Sequence, residues 1–449
     1  MLQQRSRTNI DLTEAAAEAE ARYVAANPLS AERYAQATEA MPGGNTRTVL
    51  HFSPFPLTLA SGAGCRLRDI DGHDYADFLG EYSAGLYGHS NPVIQQAIRQ
   101  AVEDGTVLGG PNCYEAALAA ELCRRFPSVE RVRFCNSGTE ANLFALQAAR
   151  LATGREAIMV FHGAYHGGVF YFGQHKSEIN APFPWIYGHY NDIERTLGLI
   201  EQHADELAAV VLEPMMGSAG GIAATTEFLQ ALRAACTKHG IVLVFDEVMT
   251  SRTTAGGLQQ LRGVTPDMTT FGKYLGGGAS FGAFGGRAEL MARFDPRRPD
   301  AVSHAGTFNN NVISMAAGLA GLTQLYTPAA AERLTADGEA LRGRLNALAT
   351  RHGMPVQLLG VGSIMCVHFH GGEIRRPEDA WPRDEAHAAR NADLQKLLHL
   401  DMLAAGQYMA RRGFITLSLP IKAADFDGFC AAFEEFLSVR GPVVAAVVD

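Results

Sequence analysis

A lysine set between glycines is the first residue in this sequence with chemistry to do. It sits in Thr269-Thr270-Phe271-Gly272-Lys273-Tyr274-Leu275-Gly276-Gly277-Gly278, just after an extended β-branched segment. Lysine is scarce: Lys176, Lys238, Lys273, Lys396 and Lys422 are all of it, against abundant arginine. Among glycines a lysine has little to pack against, and the glycines let backbone or a flat ligand come close. Upstream runs Ile241-Val242-Leu243-Val244-Phe245-Asp246-Glu247, an apolar strand ending in a carboxylate. An acid at the C-terminal end of a buried strand faces the crevice in which open α/β sheets bind ligands. An amine able to form a Schiff base, together with an acid able to keep a pyridine nitrogen protonated, is what pyridoxal phosphate chemistry requires. Two phosphate-loop readings fall away. A Walker loop needs Ser or Thr after its lysine, where Tyr274 stands, and Ser61-Gly62-Ala63-Gly64 lacks the third glycine of a dinucleotide loop.

Other stretches could complete such a site. Asn136-Ser137-Gly138-Thr139-Glu140-Ala141-Asn142 follows a strand and opens an apolar helix. A helix N-terminus offers free N–H groups and a positive dipole end to a phosphate; Ser137 or Thr139 would equally serve as an ordinary N-cap. Tyr165, on the glycine-flanked turn Phe161-His162-Gly163-Ala164-Tyr165-His166-Gly167-Gly168, could stack on a flat ring or pack within its own loop. Glu213, before Pro214, closes another strand and could orient the site or cap a turn. Arg47 follows the breaker Pro42-Gly43-Gly44-Asn45 and, read alone, is a surface ion-pair residue. The polar-aromatic loop from Glu81 to His89 could line a pocket.

The elements that must position these residues follow from periodicity and punctuation. Amphipathic helices are predicted over 11–40 and a small antiparallel sheet over 56–78. From about 93, strands at 129–134, 157–161, 208–212, 241–245 and 268–271 alternate with helices at 138–151 and 228–239, which implies a parallel sheet covered on both faces. After about 330 the pattern becomes α+β: a long helix over 329–351, strands near 363–369 and 415–419, an exposed loop over 370–383 and a last helix over 424–439. The 449 residues, 47% hydrophobic and 19% charged, describe a globular protein of two or three domains with a large core. A net charge of −9 argues against nucleic acid as a partner. No apolar run reaches membrane-spanning length. The N-terminus carries Arg5 and Arg7 but then acids, and it reads as an acidic surface helix rather than a signal peptide. Seven scattered cysteines without a C-x-x-C pair read as reduced thiols of a cytoplasmic protein, and the histidines have no metal-ligand spacing.

Taken together, Asn136-Ser137-Gly138-Thr139-Glu140-Ala141, Tyr165-His166-Gly167, Glu213-Pro214, Asp246-Glu247-Val248 and Gly272-Lys273 occur in the order and spacing of the class III pyridoxal-phosphate-dependent aminotransferases. The chain resembles this family over most of its length. Met41-Pro42-Gly43-Gly44-Asn45, Ser280-Phe281-Gly282-Ala283-Phe284-Gly285-Gly286 and His304-Ala305-Gly306-Thr307-Phe308 resemble the branch that includes glutamate-1-semialdehyde aminomutase. Within it, Asn45-Thr46-Arg47-Thr48-Val49, the run Asp246–Arg252 and the run Arg412–Pro420 look most like the bacterial aromatic β-amino acid (β-phenylalanine) aminotransferases.

The resemblance implies fold type I, an α/β architecture: a large domain, residues 81–328, with a mostly parallel sheet flanked by helices, and a small α+β domain from segments 1–80 and 329–449. It implies that Lys273 is the Schiff-base lysine, that Asp246 binds the pyridine nitrogen and that Tyr165 stacks on the ring. Ser137, Gly138 and Thr139 would hold the phosphate, with Thr307 supplied by the other subunit of a homodimer, and Glu213 would lie beside the cofactor. Arg47 matches the arginine for the substrate carboxylate and Arg412 a second contact. The implied reaction moves the amino group of a β-amino acid to 2-oxoglutarate or pyruvate by a ping-pong mechanism. The alternatives are a glutamate-1-semialdehyde aminomutase and, more remotely, a non-catalytic pyridoxal-phosphate-binding regulator, whose usual DNA-binding domain the short acidic N-terminal segment leaves no room for. Two departures stand out. Met215-Met216 replaces the glutamine that many members place against the cofactor's phenolic oxygen, and Ser218-Ala219-Gly220-Gly221 lacks the glutamate that pairs with a specificity arginine in ω-aminotransferases.

Overall fold

The structure, a computed structural model, describes residues 11–175 and 177–448. Arg5, Arg7 and Lys176 lie outside the described residues. A seven-stranded sheet organises the chain: β1 (Arg131–Cys135), β2 (Ala157–Phe161), β3 (Trp185–Gly188), β4 (Leu207–Leu212), β5 (Val242–Asp246), β6 (Met268–Gly272) and β7 (Gly282–Gly286). Their order across the sheet is β1-β7-β6-β5-β4-β2-β3. Pairings are parallel except at β7, which runs antiparallel to both β1 and β6. Every residue of β2, β4, β5 and β6 is buried, as expected of strands covered on both faces.

Helices close each face, and local residues set their ends. Helix Gly138–Thr153 starts where the Ser137 side chain accepts from the Glu140 N–H and stops at Gly154 with φ 67°. Helix Thr226–His239 starts at Thr225 and stops at Gly240 with φ 63°. Both follow the rule of a hydroxyl N-cap and a left-handed glycine C-cap. Because the strands that precede the site residues all point the same way, their C-terminal ends bring Asn136, Gly163, Glu213, Asp246 and Lys273 to one edge of the sheet.

Strand β7 was not expected from the sequence, where its glycines look like a loop. They have a packing reason. A Cβ on Gly282 would lie 2.2 Å from the Ser137 carbonyl oxygen, and one on Gly286 would lie 2.4 Å from that of Asp267. The strand is bare so that neighbouring backbone can press against it.

The predicted antiparallel sheet near the N-terminus forms from Leu59–Ala63, Arg66–Asp69 and Asp74–Asp77. A strand from far along the chain, Gln407–Tyr408, extends it in parallel alongside Asp74–Asp77. A second sheet pairs Val356–Val361, Ile364–Phe369 and Phe414–Thr416 in antiparallel fashion, the last shorter than the 415–419 expected. Helix Leu12–Ala26, in which Ala15, Ala19 and Tyr23 are buried, packs on helix Glu385–Ala404, where Arg22 meets Asp401 at 2.5 Å. The segment 370–383 is not the exposed loop expected. It buries Ile374 and Pro377, and Pro377 abuts Gly163 in the turn that leads to Tyr165.

Candidate active site

At the edge of the sheet where these strands end lies a cavity of about 320 Å³, bordered among others by Ser137, Thr139, Tyr165, Glu213, Asp246 and Lys273. Its floor is a network of fixed polar groups. Asp246, only 4% exposed, ends β5. Its Oδ2 accepts from Asn142 Nδ2 at 2.8 Å and lies 2.8 Å from His166 Nδ1, while Oδ1 accepts from the Val248 N–H at 3.0 Å. Asn142 is itself pinned: Thr270 donates to its Oδ1 at 2.8 Å, and its Nδ2 also reaches the His166 carbonyl at 2.9 Å. The carboxylate is thus oriented from three sides, with room at Oδ1 for one more donor from the cavity.

Neither Asn142 nor His166 was assigned a role from sequence. Asn142 stands four residues after Gly138, hence on the same face of the helix, and that spacing was the available signal. His166 adjoins Tyr165, and nothing in its spacing foretells a partner 80 residues away.

Lys273 follows β6 with a backbone φ of +57°, a region that residues with a Cβ seldom occupy. Strain of this kind, worth about 1–3 kcal/mol, persists where surroundings impose it and clusters at functional positions. Burial of the ammonium pulls the Lys273 pKa below its usual value, against the raising influence of Asp246 and Glu213. A lysine so shifted offers its neutral, nucleophilic form more readily.

Glu213 is 4% exposed and accepts from two backbone N–H groups, Tyr165 at 2.9 Å and Gly217 at 3.1 Å. Burial pushes its carboxyl up to about 7, with Asp246 adding to the rise and His166 opposing it. It therefore caps the turn that presents Tyr165 and also faces the cavity. The Tyr165 ring, partly exposed, borders the same cavity, edge-on to Tyr171 at 6.0 Å.

Helix Gly138–Thr153 points its N-terminus into the cavity. The first N–H groups of a helix have no partner within it, so those of Gly138 and Thr139 are available to an anion. Ser137 oxygen is the N-cap, accepting from Glu140 N–H at 3.2 Å, and Thr139 Oγ1 accepts from the Gly168 N–H at 3.1 Å, leaving its own proton to donate. Close packing keeps the cradle open only to glycine: a Cβ on Gly138 would meet Val248 at 2.9 Å, and one on Gly167 would meet Thr139 at 2.3 Å.

Charges gather at the rim. Arg47 pairs with Glu81, both side chains about half exposed, and its guanidinium lies over the Tyr82 ring at 5.9 Å. Arg412 lies over the same ring at 5.4 Å and donates to Ser218 Oγ at 3.4 Å. The two arginines singled out from sequence thus meet at one aromatic residue that was not. Thr307 lies on an exposed segment outside the cavity of its own chain.

Behind Tyr82 the wholly buried Arg252 holds the rim in place. It donates to the carbonyls of Ser83, at 3.0 Å, and Leu417, and to Ser363 Oγ at 3.2 Å.

These groups suit pyridoxal phosphate: an amine for its aldehyde, an oriented carboxylate for its ring nitrogen, an aromatic face, and a glycine-lined helix N-terminus for its phosphate. Comparison with known proteins agrees. The family model "Aminotransferase class-III" matches residues 51–392. The chain is 49% identical over 437 residues to a β-phenylalanine transaminase of Variovorax paradoxus, covering 97% of this chain and 99% of that one. The crystal structure of the β-phenylalanine aminotransferase from that organism superposes with a TM-score of 0.93, covering 96% and 98% of the two chains. A solved transaminase with pyridoxal phosphate bound, 33% identical, gives 0.84 over 94% of this chain and 99% of that one. A glutamate-1-semialdehyde 2,1-aminomutase of Rhodopirellula baltica is 38% identical over 375 residues, 80% of this chain and 84% of its own length. The chain therefore belongs to the class III aminotransferases, with pyridoxal phosphate as its cofactor.

Proposed function

We propose that this aminotransferase takes the amino group of an aromatic β-amino acid such as β-phenylalanine and passes it to a 2-oxo acid, 2-oxoglutarate or pyruvate, in two alternating half-reactions. The observation that carries this reading is that Lys273 and Asp246 line one cavity, with two arginines gathered over Tyr82 and close enough to act on Tyr165. The near full-length likeness to a β-phenylalanine transaminase supports the substrate class.

When bound, pyridoxal phosphate supplies an electrophilic carbon and a ring that accepts an electron pair. Lys273, its pKa lowered by burial, would hold the cofactor through its amine. The Lys273 amine would take the proton from the substrate's amine-bearing carbon as base and deliver it, as acid, to the carbon on the far side of the nitrogen. Asp246, fixed by Asn142 and His166, keeps the ring nitrogen protonated. Tyr165 covers the ring, Glu213 anchors the Tyr165 turn beside it, and Ser137, Gly138 and Thr139 hold the phosphate. Arg47 takes the substrate carboxylate, with Arg412 as a second donor. Thr307 serves the phosphate of a partner subunit in a homodimer, which accounts for its exposed position in a single chain.

The test is single-turnover absorbance of the holoenzyme. Racemic 3-amino-3-phenylpropanoate without acceptor is expected to bleach the band of the lysine-bound cofactor, and 2-oxoglutarate to restore it. A band unmoved by that compound but perturbed by glutamate 1-semialdehyde would favour the aminomutase instead.

A further inference from the structure

We infer that Glu81 is the resting counter-ion of Arg47, a carboxylate built into the rim that a substrate carboxylate must displace. It thereby sets how tightly each carboxylate substrate is held. The inference rests on the reading of Arg47 as the arginine for the substrate carboxylate.

The pairing is prepared by the backbone on both sides. Glu81, Tyr82 and Ser83 are three consecutive non-glycine residues with positive φ, 48°, 52° and 80°. Residues with a Cβ seldom enter this region singly, so a run of three needs external support. Asp77 Oδ1 accepts from the N–H groups of Leu79 and Gly80, both at 2.9 Å, and Arg252 holds the Ser83 carbonyl at 3.0 Å. On the other side, Asn45 Oδ1 accepts from the Arg47 N–H at 2.9 Å, and Tyr82 donates its hydroxyl to the Val49 carbonyl at 3.2 Å, docking the Arg47 segment on the same turn. Of the two arginines over Tyr82, Arg47 carries an ion pair and Arg412 carries none among the described residues.

The chemistry requires exchange. A carboxylate is best held by two parallel N–H groups of a guanidinium, and Glu81 already engages Nη1 of Arg47. With side chains 44% and 53% exposed, the pair is weak enough to give way. In a ping-pong cycle two amino acids and two 2-oxo acids pass this cation in turn, and each must leave after it has bound. An internal competitor weakens the hold on substrate and product alike, and so favours turnover over retention.

The experiment compares the wild-type holoenzyme with Glu81→Gln, Glu81→Ala, Glu81→Asp and Arg47→Gln. The first readout is the equilibrium affinity for 3-phenylpropanoate, an unreactive carboxylate, by calorimetry. Glu81→Gln and Glu81→Ala are expected to tighten binding two- to fivefold, roughly the worth of an exposed ion pair, and Glu81→Asp to stay near wild type. With racemic 3-amino-3-phenylpropanoate as donor the Michaelis constant should fall in step. Unchanged or weaker binding in both Glu81→Gln and Glu81→Ala, with Arg47→Gln still weakening it, would overturn the role of Glu81 alone. Unchanged binding in Arg47→Gln would remove the reading of Arg47, and this inference with it.

Discussion

At the floor of the cavity Asp246 is buried and held by Asn142, Val248 and His166; at the rim Arg47 meets Glu81 where both side chains are half in water. Both regions contain a charge that must meet a ligand, yet they treat it differently. The floor fixes its carboxylate before the ligand arrives, so little reorganisation is left for the reaction itself. The rim gives its cation a provisional partner in high dielectric, where the bond breaks easily. A cofactor that stays and substrates that come and go call for these two arrangements.

Breaking the floor should have the larger effect. Asp246→Asn removes the charge facing the ring nitrogen and is expected to lower kcat by about 10²–10³-fold, while the affinity for 3-phenylpropanoate, set at the rim, stays put. Calorimetry and steady-state rates on one preparation would separate the two. Next in size is Arg252→Met, which strands two buried carbonyls and a hydroxyl and should cost roughly 3 kcal/mol or more of stability. It would be read as a lowered Tm of the holoenzyme.

The smallest effect sharpens the contrast through pH. Burial raises the Glu213 pKa to about 7 in the folded chain. A carboxyl raised on folding contributes stability that is fully present below its unfolded pKa, about 4.3, and lost as pH rises through the folded value. The Tm of the cofactor-free protein should therefore fall by a few degrees between pH 5 and 7.5, and Glu213→Gln should flatten that slope.

What was legible in the sequence was the floor's chemistry. Lys273 and Asp246 declare themselves because one follows a β-branched segment and sits among glycines and the other ends an apolar run, each marking a strand end. The family pattern is read from the same strand ends. The rim is harder to see. Arg47 and Glu81 lie 34 residues apart on two irregular segments, and no periodicity links them. Arg252 carries a charge, which by its type belongs at the surface, yet it is wholly buried because three fixed acceptors receive it. Strand β7 escaped because its glycines, read one at a time, look like breakers, whereas the reason for them lies in backbone far away in the sequence, at Ser137 and Asp267.

That bare strand also has a consequence for anyone reshaping this protein. A library that diversifies Gly282 or Gly286 puts a side chain where a carbonyl oxygen already lies, at 2.2 and 2.4 Å, so most of its members are broken scaffolds. Variation of the Arg47 and Glu81 side chains, each about half exposed, meets solvent instead. The route to new substrates runs around the mouth of the cavity, with the glycine strand left as it is.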